Sequence, residues 1–143
     1  PNTSEISSGA LTHSPTVAAA LLSHRAKVII LGGRLFKHSA VASGAAAVEA
    51  AQSISADRFL LGVTGIHPEA GLTTGDADEA AMKRALAGRA SETFVLGSAE
   101  KVGAASRYLV LPLDAVAGIV VDREAEDAET VGELERRGVN ILP

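Results

Sequence analysis

The chain has 143 residues, the length of one ordinary domain, and its 47% apolar content suffices for a packed core rather than a disordered chain. With 13 basic against 17 acidic residues the formal net charge is −4, and only 3% of residues are aromatic, so neither a basic footprint for phosphates nor a stacking platform for bases is on offer. There is no Cys, which excludes disulfides, thiolate zinc sites and a thiol nucleophile, and no apolar run approaches the roughly 20 residues that span a bilayer.

Residues 1–10 are polar, without a basic stretch leading into an apolar one, and read as loop or edge strand with no signal peptide. Residues 11–143 read as a single domain. Ser14 and Pro15 are an N-cap and a first helical residue, and the spacing predicts a helix to about Ser23. Lys27–Leu31 is a short apolar run ended by Gly32-Gly33, the pattern of a strand buried on both faces. An Ala-rich helix is expected over Gly44–Ser53, and a second buried strand over Asp57–Val63, stopped by Thr64-Gly65. Ile66–Gly75 reads as a loop. Asp76 opens the clearest helix, to about Ala90, in a D-x-x-E arrangement with Glu79. Thr93–Leu96 is a third strand, Ser98–Ser106 a loop, and Tyr108–Val110 a short extended piece. Ala117–Asp122 is a fourth core strand. Glu124–Arg137 is a charged helix closed by Gly138, and Val139–Leu142 a last strand. This alternation predicts an α/β fold, Rossmann-like, with a mostly parallel open sheet flanked by helices.

Open parallel sheets bind ligands beyond the C-terminal ends of their strands. The residues expected there are Gly32-Gly33, Thr64-Gly65, Thr73-Thr74 at the mouth of the Asp76 helix, and Ser98 with Lys101. Glycines let backbone N–H groups approach an anion, a helix N-terminus favours one, and a lysine supplies a point charge for phosphate. Each has a plain structural alternative. Gly32-Gly33 serves equally as a tight strand exit, and Thr73 and Thr74 as helix caps. Glu79 and Lys83 stand i, i+4 in the favourable order for an exposed ion pair of roughly 0.3–0.5 kcal/mol. Asp122 through Glu129 reads as a solvated helix start. The four histidines, His13, His24, His38 and His67, lack metal-ligand spacing, so neither a metal nor another cofactor is expected. P-loop, dinucleotide and nucleophile-elbow motifs are missing.

The order of these motifs adds a further reading. Leu31-Gly32-Gly33-Arg34, Gly62-Val63-Thr64-Gly65-Ile66, Gly71-Leu72-Thr73-Thr74, Glu79 through Arg84, Lys101-Val102-Gly103 and Val121-Asp122 together resemble the C-terminal sensor domain of DeoR/GlpR-type bacterial transcription regulators, over about residues 11–143. The resemblance implies a fold like ribose-5-phosphate isomerase, without its first strand and Gly/Thr-rich phosphate loop. It also implies a phosphorylated sugar or related metabolite as effector, and DNA contact only through a linked N-terminal winged helix-turn-helix that this sequence lacks. The implied effector-binding set is Gly32, Gly33, Thr64, Gly65, Thr73, Thr74, Glu79, Lys83, Ser98 and Lys101. Two motifs depart from the family pattern: its G-V-D-G-I has Thr64 for Asp, and its D-S-S-K-F-G begins at Ser98. A cytoplasmic homo-oligomer without catalytic residues or membrane contact is expected.

Two other functions compete with this one. An aldose–ketose isomerase on the same fold would use Glu79 as base, with Glu69 the one acid left near the Thr64–Pro68 loop. A purely oligomerising domain would pack its small-residue helix, Ala45-Ala46-Ala47 and Ala50-Ala51, across a subunit interface.

Overall fold

The structure, a computed structural model, describes residues 9–122 and 127–143. Strand β1 (Gly9–Thr12) leads through helix α1 (Pro15–Ala20) into β2 (Lys27–Ile30), its parallel partner. A hairpin of β3 (Arg34–Phe36) and β4 (Val41–Ser43) precedes α2 (Ala45–Ala51) and β5 (Ala56–Gly62). Next come β6 (Gly65–His67), β7 (Gly71–Thr74), α3 (Ala77–Gly88) and β8 (Ala90–Gly97). The chain continues through β9 (Tyr108–Leu111), a 3-10 turn at Leu113–Ala115, β10 (Gly118–Val121), α4 (Ala128–Arg136) and β11 (Ile141–Leu142).

The central element is a four-stranded, all-parallel sheet in the order β11-β10-β8-β5. Its register aligns Leu61, Val95, Ile119 and Ile141 in one row across all four strands. Because side chains alternate along a strand, the whole row lies on one face, and it is buried. Val63, Ile66, Leu72, Val110, Val131 and Leu134 join this core. A second cluster packs Leu31 and Ala42 with Ala47 and Ala51 of α2 and Met82 and Leu86 of α3.

The strands are not buried on both faces as expected. On the opposite face of the four-stranded sheet Leu60 is 62% and Leu96 46% exposed, because among the described residues the helices packed in its core join the other face. In the separate β1–β2 pair, Ile29 and Ile30 point to opposite sides and are both about half exposed. The predicted loop at Ile66–Gly75 is instead the β6–β7 hairpin, joined by β9 into a three-stranded antiparallel sheet. Its glycines and threonines resemble turn residues, but its side chains are nearly all buried and its backbone is paired.

Local chemistry explains the helix ends. The Ser14 hydroxyl accepts from Val17 N–H at 3.2 Å, with Pro15 beside it. Helix α1 stops at Ala20, short of Ser23, because it buries no residue that would hold another turn. The Asp76 carboxylate caps α3 by accepting from Glu79 N–H at 2.9 Å. At the end of α4, Gly138 N–H donates to Glu135 O and Val139 N–H to Leu134 O, with Gly138 at φ 86. This is a Schellman closure, in which glycine tolerates the left-handed backbone that other residues resist. Arg123 to Glu126 lie outside the described residues, and with them the expected start of that helix at Glu124.

Candidate functional site

The parallel strands end along one rim. Gly62 closes β5, Gly97 closes β8, and Asp122 follows β10. Helix α3 buries a stripe of i, i+3, i+4, i+7 residues, namely Glu79, Met82, Lys83 and Leu86, of which Lys83 reaches this rim. The pair expected to be an exposed surface bridge is therefore internal, with side chains of Lys83 and Glu79 only 9% and 4% exposed. Lys83 Nζ lies 2.8 Å from Glu79 Oε1 and donates to Gly62 O at 2.6 Å. Thr74 Oγ1 donates to Glu79 Oε2 at 3.1 Å. The Glu79 side chain thus turns to Thr74 and Lys83, while its backbone N–H takes the Asp76 cap.

A second constellation ties β7 to the rim loops. Thr64 N–H donates to Thr73 O at 3.0 Å, and the Thr64 hydroxyl is 2.8 Å from that of Ser106. Ser106 N–H donates to Thr73 Oγ1 at 2.8 Å. Gly65 sits where a Cβ would lie 2.6 Å from both Ala104 O and Thr73 Oγ1, so only hydrogen fits. The loop after β8 is drawn in further: Ile66 N–H donates to Lys101 O at 2.9 Å and Gly103 N–H to Ile66 O at 2.8 Å.

The third feature is an open cleft of about 710 Å³ at the ends of β8 and β10. Ser98 and Lys101 line it with Leu96, Gly97, Val120 and Asp122. The neighbouring Glu100 carboxyl is held below its ordinary range by its own backbone N–H and by the Ser98 hydroxyl. The cleft thus offers one lysine beside acidic neighbours, a mixed lining rather than a purely cationic one.

The ten expected residues therefore divide. Thr74, Glu79 and Lys83 form a buried polar group. Thr64, Gly65 and Thr73 form the hydrogen-bonded knot, and Ser98 and Lys101 line the cleft. Gly32 and Gly33 lie on the exposed β2–β3 connection, where a Cβ on Gly33 would meet Ala47 Cβ at 2.6 Å. The close approach at Gly33 is thus to helix α2. Sequence reasoning missed Ser106, and it also missed His13. His13 follows β1, its carbonyl accepts from Ala42 N–H at 2.7 Å, and its Nε2 is buried with no hydrogen-bond partner. Its imidazole is pushed below 6.5 by burial and by Lys83, against an opposing pull from Glu79.

The acid named for isomerase chemistry lies elsewhere. Glu69 sits on the β6–β7 turn, in a groove with Asp114, Arg137 and Asn140. In α2, Ala47 and Ala51 are buried against α3. Among the described residues no group of three or more His, Asp or Glu could hold a metal ion, and no helix is long and apolar enough to cross a membrane.

The profile of the DeoR C-terminal sensor domain matches residues 5–123. The HTH-type transcriptional regulator GlpR of Haloferax volcanii is 27% identical over 132 residues, which is 92% of this chain and 51% of that protein. A putative aga operon transcriptional repressor of Escherichia coli O157:H7 is 28% identical, over 93% of this chain and 49% of its own length. An uncharacterized HTH-type transcriptional regulator FruR of Bacillus subtilis is 31% identical, over 86% and 48%. The chain spans about half the length of these curated relatives.

Proposed function

This chain belongs to the DeoR C-terminal sensor domain family, and on that premise we propose that it is the effector-sensing part of a transcriptional regulator. The effector is a phosphorylated sugar or a related metabolite, bound at the C-terminal rim of the parallel sheet. DNA is contacted by a linked helix-turn-helix, in keeping with the names of the relatives. The domain works in the cytoplasm as a homo-oligomer, without cofactor and without catalysis of its own.

The observation that carries this reading is the buried Glu79–Lys83 pair at the end of β5. Two charges withdrawn from water cost more than their mutual attraction commonly returns, and an apolar pair of the same volume would often hold the fold better. Their place at the rim where α/β sheets bind ligands supports a recognition role. A carboxylate beside an ammonium and a hydroxyl suits a polyol, since Glu79 accepts from hydroxyls while Lys83 donates. Lys101 and Ser98, in the cleft at the ends of β8 and β10, take the anionic end, with backbone N–H groups near Thr73-Thr74 and Gly32-Gly33 completing the set. Binding shifts the balance between subunit arrangements and so the spacing of the DNA-binding domains.

The test is calorimetric titration of the chain with a sugar-phosphate panel, repeated on Lys101→Ala and Glu79→Gln. Binding of one member, weakened tenfold or more in both variants, is expected. The isomerase alternative predicts conversion of ribose 5-phosphate that Glu79→Gln abolishes. The oligomerisation alternative predicts no heat and no thermal shift with any member.

A further inference from the structure

We infer that Glu100 sets the anion affinity of the Lys101 cleft: its carboxylate holds the hydroxyl proton of Ser98 that an anionic ligand needs, so the ligand must displace it. This rests on the reading above that the anionic end of the effector lies at Lys101 and Ser98. The turn after β8 brings the three side chains together. Ser98 O accepts from Lys101 N–H at 2.9 Å, which closes a four-residue turn over Ser98-Ala99-Glu100-Lys101. Strand β6 anchors the far side of this turn, since Ile66 N–H donates to Lys101 O at 2.9 Å and Gly103 N–H to Ile66 O at 2.8 Å.

Within the turn the Ser98 hydroxyl donates to Glu100 Oε1 at 2.9 Å. An ionised carboxylate only accepts, so the single hydroxyl proton of Ser98 is committed to it. Ser98 and Lys101 line the cleft, while Glu100 is outside its lining. A ligand in the cleft therefore meets the Ser98 oxygen as lone pairs, which suit a sugar hydroxyl and oppose an anion. The charge of Glu100 works in the same direction. Its carboxyl is held below the ordinary range by its own backbone N–H, by Ser98 and by the neighbouring Lys101, so it is ionised at neutral pH. An arriving anion meets that charge and competes with it for both the Ser98 hydroxyl and the Lys101 ammonium. A neutral polyol meets neither obstacle, so Glu100 also discriminates among ligands by their charge.

The experiment is an NMR titration of the chain with inorganic phosphate, read at the amides of Gly97, Ser98 and Lys101. It is repeated on Glu100→Ala, on Glu100→Gln and on the double variant Ser98→Ala/Glu100→Ala. Glu100→Ala is expected to bind phosphate about two- to tenfold more tightly, the range of one hydrogen bond or one exposed charge pair. Glu100→Gln gains less, because its side-chain carbonyl still accepts from Ser98. Loss of the Ser98 hydroxyl in the double variant cancels most of the gain. A damaged turn would weaken binding, so a gain separates this role from a merely structural one. Equal or weaker binding by Glu100→Ala, with the cleft amides still responding, overturns the role of Glu100 and leaves the effector reading standing. Phosphate that moves none of these amides in any of the four proteins overturns the anion site itself, and the role of Glu100 with it.

Discussion

Lys83 reaches from α3 to the last residue of β5, where its ammonium donates to the carbonyl of Gly62 at 2.6 Å. This contact fixes a buried ion pair of α3 against the end of a parallel strand, and it makes the rim a structural joint with two charges in its interior. Breaking it from one side leaves an uncompensated charge in the interior.

Lys83→Met and Glu79→Gln are each expected to destabilise the chain by about 3–5 kcal/mol, the cost of orphaning one member of a buried pair. The double variant Glu79→Leu/Lys83→Met is expected to recover most of that loss. Urea denaturation of the single and double variants measures the coupling directly. Additive losses would show that the pair is not coupled.

Gly65→Ala places a methyl group 2.6 Å from Ala104 O and Thr73 Oγ1. The loop bearing Lys101 must move off β6, and overpacking of this kind costs about 1–3 kcal/mol. Amide exchange should accelerate at Ser106 and Gly103, whose N–H groups bond to Thr73 Oγ1 and Ile66 O. Unchanged exchange at both would refute this role for Gly65.

Stability should rise with pH through the His13 range. The folded ring sits below 6.5, so in that window the unfolded chain binds more protons. The contribution is fully present above about 6.5 and is lost progressively as pH falls toward the folded value. His13→Gln should flatten the curve between pH 7 and pH 5, read by thermal or urea unfolding at each pH.

Much of the order of elements was legible because several core strands are short apolar runs and helices α1, α3 and α4 carry their own caps, as at Ser14, Asp76 and Gly138. Other features were not, the β3–β4 hairpin among them. The β6–β7 hairpin hid behind Gly71 and two threonines, since long-range pairing with β9 overrides local turn chemistry. The open face of β5 and β8 depends on which layers cover the sheet, which a run of apolar residues does not encode. The burial of Glu79 and Lys83 did carry a signal: any helical face that buries Met82 and Leu86 also includes positions 79 and 83. The i, i+4 ion-pair rule drew attention to the surface instead. His13 offered no motif, because the charges that act on its imidazole, Lys83 and Glu79, lie far away in sequence.

Gly138→Ala tests the same logic at a helix end, since its φ of 86 is one that an L side chain resists. A loss of about 1 kcal/mol or somewhat more is expected from the Schellman closure, measured by urea unfolding. An unchanged midpoint would contradict the closure seen at α4.

The most direct measurement is calorimetric titration of this chain with sugar phosphates, beside Lys101→Ala and Glu79→Gln. The account predicts saturable heat with at least one of them, weakened tenfold or more by either substitution. Saturable binding that neither substitution alters, or no heat from any sugar phosphate, would contradict a sensing site at this rim.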